Sequence, residues 1–198
     1  MTRRTDPTTE ESESVDDMFQ HLSEAKQRDS TPRTTRSKGG GQSKIERLMS
    51  QRPDAAVLAS NYEVRMQEMV ELDKVTHRAG KPWTSAKAGV EAHGRLPVYY
   101  RVDGMVTYTG YIEDIVLRPE DESDVPQEMK DHITDDDTYS DFNEKYDTTT
   151  YLVSGGKRLD EPFPQSELER IQGGEYIDED YSYQPAYIRK RDGDFPEF

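Results

Sequence analysis

One hairpin constrains the fold of this chain more than any other feature. Its first strand is predicted where apolar residues alternate along the chain, at Leu96, Val98, Tyr100 and Val102. Asp103-Gly104 follows, a dipeptide typical of two-residue hairpin turns. A return strand is predicted over Met105–Leu117, with a bulge or bend at Gly110. A chain with such a hairpin must build its body around a sheet.

The rest of the second half predicts more strands and few helices. Tyr151-Leu152-Val153 is predicted as a strand that ends at Ser154-Gly155-Gly156, and Tyr187-Ile188 lies in a last strand. A short helix is predicted to begin at Phe163. Hairpins in sequence favour an α+β fold, a small and mostly antiparallel β-barrel with short helices. We place this domain at 81–198, with an acidic insertion at 119–147.

A helical segment is predicted before the barrel, over 44–80. Ser43-Lys44-Ile45-Glu46 is a capping-box pattern and begins its first helix. A second such pattern, Ser60-Asn61-Tyr62-Glu63, is predicted to open a helix that runs to about His77. Trp83-Thr84-Ser85 then marks the start of a further short helix, which ends before Gly94.

Residues 1–43 are predicted to be a disordered tail, because their polar composition offers little apolar surface to bury. A short amphipathic helix is expected within 14–25, where apolar side chains recur at helical spacing: Val15, Met18, Phe19 and Leu22. Two interpretations stay open. The helix forms transiently in a tail, or it docks on a partner or on the body of the protein.

Composition limits the location and chemistry of the chain. Only 31% of its residues are hydrophobic and 34% are charged, so the folded part is expected to be smaller than the chain. It has no cysteine, hence no disulfide and no thiolate metal site. No signal peptide and no membrane-spanning run is recognisable. We therefore expect a cytoplasmic, soluble protein that does not contact a membrane.

The net charge of −15 is concentrated in the last eighty residues, which hold 8 basic and 23 acidic side chains. Arginine (16) outnumbers lysine (10). This balance resembles that of proteins adapted to high salt, in which salt screens the repulsion between carboxylates. An ordinary acidic protein is the alternative. If the composition is a solvent adaptation, acidity does not argue against nucleic-acid binding.

The segment 74–101, which we call the basic, aromatic strip, is rich in positive charge although the chain as a whole is acidic. It carries six cationic side chains against Glu91 alone: Lys74, Arg78, Lys81, Lys87, Arg95 and Arg101. Such cations contact phosphates, and aromatic rings stack on unpaired bases. The candidate nucleic-acid-binding residues are Trp83, Tyr99, Tyr100, Arg101, Lys81, Lys87 and Tyr108. Tyr99 and Tyr100 point to opposite faces of one strand, so one is expected in the core and the other free, and Tyr108 and Tyr111 are similarly split. The alternative is that Trp83 and at least one tyrosine of each pair belong to the core.

Catalytic motifs are missing from the sequence. No nucleophile elbow, P-loop, zinc-protease helix or dinucleotide-binding glycine pattern occurs. Asp135-Asp136-Asp137 with Asp141 and Glu144 offers oxygen ligands for a cation, but without the glycine of an EF-hand loop a solvated loop is favoured. We assign no catalytic residue, no metal and no cofactor, and predict a protein that is not an enzyme.

The order of these features is similar to that of the PUA-like superfamily, particularly its EVE and YTH branches. The resemblance rests on Leu96–Val102 followed by Val106–Ile115, then on Thr150–Val153 and on Arg158–Leu168, and covers about 83–190. It implies a small β-barrel that binds RNA or DNA and takes a modified or flipped base into an aromatic pocket. Trp83, with Tyr99 or Tyr100, would line that pocket.

The favoured hypothesis is therefore a non-enzymatic nucleic-acid-binding module, in which the strip contacts phosphates and an aromatic pocket recognises a modified or unpaired base. The alternative is a protein-interaction or assembly protein of a halophile or its virus, which binds a protein partner through the N-terminal tail. A hydrolase is the least favoured interpretation, because no convergent acid–base set is visible.

Overall fold

The computed structural model divides after Gly41 into two units, and the structure describes residues 42–134 and 146–195, all within the second unit. The helices are α1 (Lys44–Gln51), α2 (Glu63–Leu72), α3 (Thr84–His93) and α4 (Gln127–Asp131). The strands are β1 (Ala55–Ser60), β2 (Lys74–Ala79), β3 (Leu96–Val102), β4 (Met105–Leu117), β5 (Thr149–Pro164) and β6 (Ala186–Arg189). The predicted tail helix within 14–25, the predicted tail and the run Asp135-Asp136-Asp137 lie outside the described residues.

The strands form one six-stranded mixed sheet in the order β2-β5-β4-β3-β1-β6. The predicted hairpin is confirmed: β3 pairs antiparallel with β4 across Asp103-Gly104. β1 pairs parallel with β3, and every other pair is antiparallel. The fold is thus α+β, as expected. The sheet has two edges, β2 and β6, so the strand pairing does not close it into a barrel.

The predicted helical segment 44–80 is wrong in two places. β1 interrupts it, and the helix predicted to run to about His77 ends at Leu72, with β2 following at once. β1 is Ala55-Ala56-Val57-Leu58-Ala59-Ser60, of which the first five residues are buried. A strand covered on both faces has no polar alternation to reveal it. Asp73, at φ 62°, leaves the right-handed helical region and ends α2.

Local signals predicted the start of α1 and both ends of α3 correctly. The second capping-box pattern is wrong, because Ser60 ends β1 and α2 begins at Glu63 after Tyr62 with no side-chain cap. The Ser43 side chain accepts a hydrogen bond from the Glu46 amide, and the Glu46 carboxylate accepts one from the Ser43 amide. α3 begins after Trp83 and ends at Gly94, whose φ of 78° suits a glycine cap. The helix predicted from Phe163 is a single 3₁₀ turn at Gln165–Glu167.

The predicted strand at Tyr151–Val153 is much longer than expected, because the chain continues through Gly155 and Gly156 as far as Pro164. Gly156 lies directly under α2, where a Cβ atom would stand 2.6 Å from Met69 Cγ and 2.8 Å from the Met69 carbonyl oxygen. Register shifts near Gly110 confirm the predicted irregularity in β4. Glycine at these positions allows helix and strand to approach closely.

Two apolar clusters cover the two faces of the sheet. The larger includes Met66 and Met69 of α2, Trp83, and alternate residues of β1, β3, β4 and β5. The second holds the intervening residues of those strands under the C-terminal segment, including Tyr99, Phe163, Ile177 and Phe195. The second cluster explains why both faces of β3 are buried, which the alternation in its sequence does not indicate.

Gly156→Ala tests the packing of α2 on β5. We expect it to lower the free energy of unfolding by about 2 kcal/mol or more, since the new methyl group meets backbone atoms of Met69. Gly80→Ala is the matched control, because the nearest described atom outside its chain neighbours, an Asp147 carboxylate oxygen, would lie at an ordinary van der Waals distance of 3.5 Å from the new Cβ. Its effect should stay within about 0.5 kcal/mol in urea unfolding. Equal effects of the two substitutions would contradict the packing described.

Candidate nucleic-acid interface

The sheet curls so that β1 and β2 meet at one cleft. These strands stand four positions apart in the sheet, which is about 19 Å in a flat one. Nevertheless Ser60, the last residue of β1, and Arg78 near the end of β2 both line a cleft of about 330 Å³. The Nδ1 atom of His77 in β2 also lies 3.2 Å from the hydroxyl of Tyr100 in β3, three positions away in the sheet, so the sheet bends around the larger core cluster.

Trp83 and Tyr151 form the aromatic wall of this cleft. Their rings stack with centroids 4.5 Å apart and an interplanar angle of 29°. The Trp83 amide donates to Thr149 Oγ1 at 3.2 Å, and that hydroxyl donates to the Lys81 carbonyl oxygen at 2.7 Å. Thr149 therefore holds the segment before α3 against the start of β5. Trp83 is only 1% exposed, so it presents little more than an edge to solvent.

Polar and charged side chains complete the cleft. Arg78 and Lys81 supply positive charge, and Ser60, Ser182 and Gln184 supply neutral hydrogen-bonding groups. The Lys81 ammonium lies 5.4 Å from the centroid of the Tyr183 ring, which is 70% exposed. Negative charge is also near, since the Asp147 carboxylate lies close to Gly80. Ser182 and Gln184 belong to the segment 178–184, which forms a second wall of the cleft, and we call this segment the strap.

Behind the wall lies a buried cluster of rings. Tyr100 OH is 3.2 Å from His77 Nδ1, and the His77 ring meets both Tyr100 and Tyr151 edge-on. Burial raises the pKa of Tyr100 and of Tyr151 well above the usual value for a phenol. Burial likewise raises the pKa of Tyr99, on the other face of the sheet. All three phenols therefore stay protonated at physiological pH.

Only two of the seven predicted site residues, Lys81 and Trp83, line the cleft. Tyr100 lies in the core behind it, at 0% exposure. Tyr99 lies on the opposite face, where its hydroxyl donates to Asp194 Oδ2 at 2.8 Å and accepts from the Arg191 amide at 2.9 Å. The expectation that one tyrosine of this pair is free is thus wrong, because the C-terminal segment covers the second face.

The remaining predicted residues have structural partners. Tyr108 is 2% exposed and donates to Glu63 Oε1 at 2.6 Å. Lys87 donates to the Ile115 carbonyl oxygen at 2.9 Å and lies 3.3 Å from Glu91 Oε1. Arg101 donates to Ser60 Oγ, to Gln165 Oε1 and to the Tyr181 carbonyl oxygen. Arg101 therefore borders the cleft without lining it.

The site prediction missed residues that come from distant parts of the chain. Arg78 belongs to the basic strip and Tyr151 to a predicted strand, so local signals for both were present. Ser60, Ser182 and Gln184 had none, since only the curl of the sheet and the course of the strap bring them to the cleft.

Comparisons with protein-family models, with curated proteins and with solved structures give no match. Within residues 42–134 and 146–195, no three histidine or carboxylate side chains converge in a way that could hold a metal ion. No helix in the same part of the chain is long and apolar enough to cross a membrane.

The buried phenols predict an alkaline limit to stability. A phenol with a raised pKa in the folded state stabilises that state below its unfolded pKa of about 10, and the contribution falls as pH rises further. Tyr99, Tyr100 and Tyr151 together should lower the free energy of unfolding by about 4 kcal/mol per pH unit in that range.

Tyr151→Phe removes one of these groups, so the slope should become shallower by about 1.4 kcal/mol per pH unit. Urea unfolding between about pH 10.5 and pH 12, where the unfolded phenols are mostly ionised, measures it. A slope identical to that of the unsubstituted protein would show that Tyr151 ionises in the folded state.

Proposed function

We propose that this protein is a non-enzymatic nucleic-acid-binding module with a PUA-like architecture, and that it takes an unpaired or modified base into the cleft beside Trp83. One observation carries the proposal: a single cleft of about 330 Å³ combines a stacked aromatic pair, two cationic side chains and three neutral polar side chains. That volume lies at the lower end of the range for small-ligand pockets.

The chemistry of the wall suits a base better than a charged small molecule. Ser60, Ser182 and Gln184 each offer both a donor and an acceptor, which matches the mixed donor and acceptor edge of a nucleobase. The neutral, buried Tyr151 supports an aromatic surface without charge. A base inside a duplex cannot reach such a cleft, so the proposed ligand is single-stranded or has a base turned out of its stack.

The charges around the cleft determine on which side of it the phosphates of a bound strand would lie. Lys81 is exposed and stands at the edge of the cleft with Arg78. The strap on the other side begins with three exposed acidic residues, Asp178, Glu179 and Asp180. Phosphates adjoining the bound base are therefore expected on the Lys81 side and away from the start of the strap.

The curled sheet supports the PUA-like part of the proposal. Strands that are remote in the sheet line one cleft, and the chain runs from Trp83 through α3 into the hairpin. These are features that the sequence resemblance implies for a barrel with a base pocket at its rim.

A salt titration of oligonucleotide binding tests the function. A labelled single strand should bind more tightly than its duplex, and log K should fall linearly with log salt. Lys81→Met should reduce that slope by about 0.7, the value for one phosphate contact on a single strand. A broad salt range is required, because the acidic composition suits high ionic strength.

Lys157→Met is the matched control. Lys157 is an exposed lysine of the same strand as Tyr151 but six residues away, about 20 Å along the strand. Its loss should leave the slope unchanged. Absence of binding by every single-stranded and modified-base probe, or equal slope changes in both variants, would refute the proposed function.

A further inference from the structure

A single guanidinium joins the two sides of the cleft. Arg101 Nε donates to Ser60 Oγ at 3.0 Å, and Arg101 Nη1 donates both to Gln165 Oε1 and to the Tyr181 carbonyl oxygen. Ser60 is the cleft residue from β1, and Tyr181 precedes the two strap residues, Ser182 and Gln184, that line the cleft. Arg101 is thus bonded to both walls although it faces neither the cleft nor its mouth.

The β-sheet register directs Arg101 to this position. Ser60 and Arg101 are direct partners in the parallel pair of β1 and β3. The pairing of β3 with β4 shifts between Tyr100 and Arg101, which is a bulge or irregularity. Such irregularities change the direction in which a side chain at the end of a strand points. The guanidinium consequently reaches across from the sheet to the strap.

Gln165 extends this contact along the strap. Its side chain is 1% exposed, and its amide nitrogen donates to the carbonyl oxygens of Asp178 and Glu179, both at 2.8 Å, and of Tyr181 at 3.1 Å. Arg101 and Gln165 together bind three carbonyl oxygens of the strap. Few other contacts hold its backbone: the described backbone hydrogen bonds within 178–184 are limited to Tyr181 N to Asp178 O.

Side chains of the strap make further contacts: Tyr181 packs against the second core cluster, Lys81 lies against the Tyr183 ring, and Arg170 contacts the strap from outside. The Arg170 guanidinium lies 4.4 Å from the centroid of the Tyr181 ring, and its Nη2 lies 3.6 Å from Asp178 Oδ2. These contacts are partly exposed and weak individually. The hydrogen bonds of Arg101 and Gln165 are part-buried and reach three carbonyl oxygens of the strap, and Gln165 itself is buried, so they make the larger polar contribution to the position of the strap.

We propose that Arg101 is a positioning residue of the cleft, which fixes Ser60 and the strap relative to Trp83 and does not itself contact the ligand's phosphates. That the ligand is a nucleic acid rests on the proposed function. The positioning of the two walls by Arg101 does not depend on it. Loss of the guanidinium releases the strap and uncovers the indole of Trp83.

The first test needs no ligand. Trp83 is the only tryptophan, so quenching of intrinsic fluorescence by acrylamide reports the cleft alone. Arg101→Met should raise the quenching constant about twofold or more in the folded protein, as expected for a locally opened segment. Arg158→Met is the control, since Arg158 is an exposed arginine 5.9 Å from the Tyr108 ring. Equal quenching in both variants overturns the proposal.

Gln165→Met gives a second route if Arg101→Met does not fold. It keeps the guanidinium and removes the strap contacts of Gln165, so it should also raise the quenching constant about twofold. Unchanged quenching in Gln165→Met overturns the proposal. Folding of each variant is checked by its cooperative urea transition before quenching is measured.

The second test separates positioning from phosphate contact. With a labelled single-stranded oligonucleotide, Arg101→Met should weaken binding about tenfold while the salt slope stays that of the unsubstituted protein. A slope reduced by about 0.7 would make Arg101 a phosphate contact and overturn the proposal. If no oligonucleotide binds but the quenching result holds, the proposed function fails and the positioning role of Arg101 stands.

Discussion

The stacking of Trp83 on Tyr151 is the contact on which both the fold and the cleft depend. The indole lies in the larger core cluster, immediately before the first residue of α3, and its amide bonds to Thr149 at the start of β5. One residue therefore joins a helix start, a strand start and the aromatic wall of the cleft. Burial of a large aromatic side chain contributes several kcal/mol to the stability of the folded state. The contacts that stabilise the core therefore also fix the Trp83 wall of the cleft.

The other side of the cleft is built differently. The strap reaches its position through polar contacts with Arg101 and Gln165, although its Tyr181 also packs against the second core cluster. The cleft thus has one wall fixed by apolar burial and one held mainly by hydrogen bonds. Trp83 belongs to the apolar wall, which agrees with its being almost completely covered although it lines the cleft.

The sequence predicted what local patterns encode. The hairpin carried its own signals, an alternating strand and an Asp-Gly turn, and the capping residues of α1 and α3 marked helix ends. β1 was missed because its run of alanine, valine and leucine is buried on both faces. Of the site, Lys81 and Trp83 were found from the basic, aromatic strip. Tyr99 and Tyr100 were misassigned because the cover over each face of β3 comes from segments far away in sequence. Ser60 and Gln184 meet only through the curl of the sheet, which no local pattern specifies.

The central claim is that a base enters the cleft beside Trp83, and the single indole resonance of the protein allows a direct measurement. In a two-dimensional NMR titration with a single-stranded oligonucleotide, the Trp83 indole N–H signal should shift and show intermolecular NOEs to base protons. The unique tryptophan makes the assignment unambiguous. An oligonucleotide that binds while the indole signal keeps its position, with NOEs only to other surfaces, would contradict the account.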